Sequence, residues 1–135
     1  MIDVVIADQQ ELFRLGLGET LSVANGFRIV GQAESSEQVL STLKLTNPHV
    51  LILSTSFLSV FPKIQRILKR CKTALLVLAE DNDEADYMQW LRAHGVVHRS
   101  MDRPVLLDAI RRVAQGELRT KDRNSVMPKD ASKVA

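Results

Sequence analysis

Asp8 ends an apolar run, Asp3–Ala7, and its neighbour is Gln9, a neutral amide. Hard cations take several oxygen ligands, so one carboxylate beside a neutral amide holds Mg²⁺ poorly. Ser54 lies in Leu-Ser-Thr-Ser rather than a Gly-x-Ser-x-Gly elbow, and the pattern offers no adjacent base to activate it. No glycine-rich phosphate loop follows the first apolar run. His49, His94 and His98 lack metal-ligand spacing, and the single cysteine, Cys71, rules out a Cys/His cluster. Arg70 and Lys72 flank Cys71 and would favour its thiolate; the competing reading is a packing cysteine at a helix end. These residues imply no catalytic centre, no metal and no cofactor. A small enzyme of hydrolase or nucleotide-binding type would have only its fold class in its favour.

The elements that must position Asp8 and Ser54 alternate along the chain. Short apolar runs at 3–7, 27–33, 50–53, 74–79 and 96–98 read as strands, the fourth of them buried on both faces. Helical periodicity separates them. Residues 11–24 put Phe13, Leu17 and Leu21, with the small Gly16, Thr20 and Ala24, on one stripe. Asn25-Gly26 ends that helix through positive φ. Ser35 or Ser36 caps a second helix carrying Val39, Leu40 and Leu43, and Asn47-Pro48 stops it. Pro62 opens a third helix reaching about Cys71, with Ile64, Ile67 and Leu68 inward. Asp83 caps a fourth over 83–93, packing Tyr87 and Leu91, and Pro104 opens a fifth with Val105, Leu106, Ala109, Ile110 and Val113 inward. Five strands and five helices in strict alternation predict an α/β doubly wound parallel sheet of order 2-1-3-4-5. Functional crevices in such sheets lie at the carboxyl ends of the strands, where Asp8, Ser54, Ala79 and Arg99 would meet.

The 135 residues suit one domain with a sizeable core, and 45% hydrophobic with 25% charged residues is ordinary for a globular chain. No apolar run approaches the about 20 residues of a membrane span. Met1 to Asp3 does not open a signal peptide, and a lone cysteine suits a reducing cytoplasm. Residues 1–116 hold 13 Lys+Arg and 13 Asp+Glu, while the tail adds five basic residues to three acids. A neutral body predicts no broad basic face for phosphate backbones. After Gly116 apolar residues thin out, so 1–117 reads as the domain and 118–135 as linker or flexible tail.

The lines VVIADQQELFRLGL, NPHVLIL and RPVLLDAIRRVAQGE, in that order, resemble response-regulator receiver domains of the LuxR-type transcription-factor branch over roughly residues 1–117. The resemblance implies a flavodoxin-like fold with a phosphoacceptor pocket at the strand ends. At the family's second metal-binding acid this chain has Gln9, beside the retained Asp8. The accepting aspartate position holds Ser54, the hydroxyl position Ala79 and the phosphate-pairing lysine position Arg99; Val96 stands where an inward-swinging aromatic is usual. Two loops are shorter than usual, by about three residues after Ser54 and about two near His94-Gly95, which bears on the placement of Arg99. These losses predict a degenerate receiver that does not run on phosphorylation. Asp8 is then a loop or helix-capping acid or keeps an ionic role, and Arg99 either pairs with it or is solvated. Ser54 reads as a structural strand-end hydroxyl.

A phosphorylation-independent receiver implies a protein-interaction or dimerisation module and not an enzyme. Tyr87, Met88 and Trp90 on the fourth helix, with Val96 and Leu106, make the candidate interface, against the plainer reading of a wide core face. The resemblance implies a protein partner or homodimer, no membrane, and DNA contact only through a C-terminal helix-turn-helix domain absent from this chain. The alternatives are a small-ligand sensor using the vacated pocket and a stand-alone adaptor.

Overall fold

The structure, a computed structural model, describes residues 1–80 and 93–116. Its strands are β1 (Ile2–Ala7), β2 (Phe27–Ala33), β3 (Val50–Ser54), β4 (Ala74–Ala79) and β5 (Gly95–His98). They form one parallel sheet in the order β2-β1-β3-β4-β5. This is the doubly wound order expected from the alternation of strand and helix. Every residue of β3 and β4 is buried, as strands covered by helices on both faces must be.

The described helices are α1 (Glu11–Val23), α2 (Ser36–Thr46), α3 (Phe61–Leu68) and the closing α4 (Arg103–Ala114). Gly26, at φ +97°, turns the chain from α1 into β2. The Ser35 side chain accepts from the Gln38 N–H and caps α2, which ends at Asn47 in the left-handed region. Gly31 on β2 lets α2 approach closely, since a Cβ there would lie 2.6 Å from Thr42 Cγ2. The helix expected over 83–93 falls, but for its last residue, outside the described residues, and with it Tyr87, Met88, Trp90 and Leu91. The tail 117–135 lies outside them as well.

Several expectations need correction. The buried stripe of α1 is Arg14, Leu17, Gly18 and Leu21; Gly16 is exposed and Phe13 only half-buried. An arginine whose buried donors find acceptors, as Arg14 does in the Asp8 carbonyl and Gln32, can hold a core-facing position that a hydrophobic count does not predict. The third helix stops at Leu68, and a six-residue 3-10 segment, Thr55–Val60, precedes it where a direct loop was expected. Ser54 caps that segment by accepting from the Ser56 N–H. Val105, in the first turn of α4, is 42% exposed rather than inward. Val96 is 1% exposed and Leu106 7%, so Val96 belongs to the core and offers no contact surface.

Candidate functional site

Parallel strands bring their carboxyl ends to one edge, and the edge collects Asp8 just past β1, Ser54 at the end of β3, Ala79 at the end of β4 and Arg99 just past β5. Arg99 makes the assembly. Its Nη1 lies 2.5 Å from Asp8 Oδ2 and its Nη2 donates to Asp8 Oδ1 at 3.0 Å, a two-pronged ion pair across 91 residues of sequence. Nη2 also donates to Ser54 Oγ at 3.1 Å. The Asp8 side chain is fully buried and that of Arg99 is 16% exposed. Planar guanidinium and planar carboxylate match two donors to two acceptors, which a lysine could not do.

The surroundings hold this pair in one place. Asp8 Oδ1 also accepts from the Gln10 N–H at 2.9 Å, closing the turn that leads into α1. Asp8 is thus both a loop-closing acid and an ionic partner. Arg99 Nε lies 3.4 Å from Glu80 Oε1, an ionic contact without hydrogen-bond alignment. The Arg99 guanidinium stacks 4.7 Å from the Phe13 ring centroid. Ser54 Oγ and Ser56 Oγ are 2.9 Å apart, so the serine hydroxyl is committed to its own turn and to Arg99. Ala79 is buried and brings no polar atom; Gln9 is exposed. Beside Arg99, on the Ser54 side, lies a recess of about 150 Å³ bordered by Gln9, Gln10, Ser54, Ser56 and Glu80.

Sequence reasoning missed Arg14. It is 7% exposed, and Nη1 donates to the Asp8 carbonyl at 2.9 Å while Nε donates to Gln32 Oε1 at 3.1 Å. Its signal was spacing: Arg14 falls three and seven residues before Leu17 and Leu21, on the buried stripe. Phe13 and Glu80 were missed as partners of Arg99 for a different reason, since neither contact follows from local periodicity. Cys71 is half-buried, its Sγ 3.5 Å from both the Ile67 carbonyl and Thr73 Oγ1, the surroundings of a packing cysteine.

Among known proteins, the transcriptional regulatory protein DegU of Brevibacillus brevis is 28% identical over 124 residues, covering 85% of this chain and 51% of DegU. The response regulator GacA of Pseudomonas protegens is 25% identical over 122 residues, covering 87% of this chain and 57% of GacA. The chain has the receiver fold and is similar in sequence to the response regulators DegU and GacA. Among solved structures, the signal receiver domain of NarL from Mycobacterium tuberculosis superposes with a TM-score of 0.75 at 21% identity, covering 85% of this chain and 97% of that one. A LuxR family DNA-binding response regulator from Silicibacter pomeroyi gives 0.73 at 22% identity, covering 87% and 94%. No protein-family model matches the chain. It spans about half the length of the curated relatives it matches.

Proposed function

We propose that this receiver-fold chain is a phosphorylation-independent signalling module, working by protein contact or dimerisation within a LuxR-type transcriptional regulator. One observation carries the reading: the Arg99 guanidinium sits between Asp8 and Ser54, where a receiver would perform phosphoryl transfer. That chemistry needs a carboxylate nucleophile and a metal to neutralise the transferring group. The residues present do not fit Mg²⁺. Among the described residues Asp8 supplies the pocket's one buried carboxylate, both of its oxygens face a cation already, and Ser54 brings a neutral hydroxyl. Among the described residues no group of three His, Cys, Asp or Glu is placed to hold a metal ion.

The reading of the vacated pocket as a small-ligand sensor has little space to work with. The recess of about 150 Å³ is well below the roughly 300–1,000 Å³ of ordinary ligand pockets. Contact with another protein has better support. Between α1 and α4 runs a groove lined by Phe13, Leu17 and Leu106, with Leu12, 88% exposed, on its border and Val105, 42% exposed, nearby on α4. Leu106 thus keeps a place at a candidate interface, at the groove floor. DNA contact is assigned to a C-terminal domain outside this chain, with 118–135 as the linker toward it and the cytoplasm as the setting.

Incubation with acetyl phosphate and Mg²⁺ followed by intact-mass measurement tests the central point. No phosphoryl adduct is expected. A stoichiometric, hydroxylamine-labile adduct would overturn the proposal.

A further inference from the structure

Helices α2 and α3 enclose a half-open groove of about 710 Å³ on the other side of the sheet from the α1–α4 groove. Leu40, Leu43 and Ile67 form its apolar floor. Lys44, Lys63, Arg66 and Arg70 stand around it, all exposed. None of the four makes an ion pair or side-chain hydrogen bond among the described residues. The stretch from Gln38 to Ala79 contains six Lys+Arg and not one Asp or Glu. The charge of the body cancels in total but not in place.

Helix dipoles account for part of this. Lys44 and Arg66 lie in the last turns of α2 and α3 and Arg70 just beyond, where cations are favoured. They do not account for Lys63, which lies in the first turn of α3 against the dipole and has no acid in that turn to offset it. Lys63, Arg66 and Arg70 follow one another at steps of three and four, so they run as a ladder along the groove beside Ile67.

We infer that this groove docks an acidic amphipathic helix of a partner protein. A helix laid along the groove repeats its side chains at the same steps of three and four, so carboxylates can meet the ladder while leucine-like side chains reach the floor. Duplex DNA would meet the cations but leave the floor unused. Single-stranded nucleic acid needs aromatic stacking platforms, and among the described residues no aromatic lines the groove. The tail, 117–135, is itself net basic and does not complement the rim.

The test is selection of random displayed peptides of about four helical turns against the intact chain. Enriched sequences should place Leu or Ile at helical spacing beside Asp or Glu. Their amide shifts should map to Leu40, Leu43 and Ile67. Their affinity should fall by about tenfold or more in Arg66→Glu/Arg70→Glu, since like charges then oppose one another. Lys63→Glu gives an independent reversal, and unchanged circular dichroism certifies the fold of each variant. Four outcomes would overturn the inference. They are no enrichment, selected peptides without acids, equal binding to the charge-reversed variants, and equal or tighter saturable binding of a short DNA duplex or an alkyl phosphate.

Discussion

Removing either half of the Asp8–Arg99 pair should destabilise the domain, and the two losses should be unequal. Arg99→Ala leaves the fully buried Asp8 carboxylate with only the Gln10 N–H as a hydrogen-bond donor among the described residues. Breaking a buried ion pair from one side costs about 3–5 kcal/mol, because the surviving charge is desolvated and unpaired. Asp8→Asn leaves Arg99 better served. It keeps Ser54 Oγ, the Glu80 carboxylate and the Phe13 ring, and at 16% exposure it reaches water. Loss of a charged hydrogen-bonding partner with that much compensation is worth roughly 1.5–3 kcal/mol. The burial difference makes Arg99→Ala the worse. Urea denaturation of the four species of the double-mutant cycle measures this, with the double variant expected to lose less than the sum, by about 1–3 kcal/mol. Additive losses would mean the two residues do not interact. A larger loss for Asp8→Asn than for Arg99→Ala would refute the account of which charge is stranded.

Gly31→Ala should cost about 1–3 kcal/mol by overpacking, because its Cβ would stand 2.6 Å from Thr42 Cγ2. The loss should shrink in a Thr42→Ser background, and equal losses in both backgrounds would contradict the contact. The paired hydrogen bonds from Arg28, 2.8 and 3.0 Å long, hold the Asp3 carboxyl below the usual carboxylate range. A depressed acid stabilises the fold above its unfolded pKa, and that stabilisation is lost as pH falls through the depressed value. Arg28→Gln should therefore move the Asp3 titration upward by NMR, and its stability deficit should close in acid; an unmoved Asp3 would remove Arg28 as the cause. If the α1–α4 groove mediates self-association, Leu12→Asp should shift sedimentation velocity profiles toward monomer, while an unshifted dimer would place the contact elsewhere.

The sheet was legible because burial on both faces leaves unbroken apolar runs, and because parallel connections admit few topologies. The convergence of Asp8, Ser54 and Arg99 followed from strand order, since residues that end parallel strands share an edge. Local rules did not reach further. The 3-10 segment Thr55–Val60 has too few residues for a helical period, and its cap, Ser54, looks like any strand-end serine. Arg14 was hidden because a hydrophobic count skips cations, although its Nη1 and Nε donate to the Asp8 carbonyl and Gln32 Oε1. The basic groove escaped a charge total that set the six cations of the stretch 38–79 against the acids gathered at 80–86. Placement along the chain, rather than the sum, carried that information.

A signalling site needs two arrangements separated by a free energy that its input can supply. Arg99 is held by groups from four segments: Asp8 after β1, Ser54 on β3, Glu80 after β4 and Phe13 on α1. All four favour the same position. If release from Asp8 alone costs about 3–5 kcal/mol, the released form is roughly one molecule in 10² to 10⁴. An input would have to prefer that form by the same factor to populate it. A small anion at Arg99 is poorly equipped to do so, because it would compete with Asp8 for the same guanidinium while facing the Asp8 and Glu80 carboxylates. The strand-end site on this reading acts as a clasp between segments. Input is then better sought on the helical faces, where four cations of the α2–α3 groove and the apolar border of the α1–α4 groove face solvent.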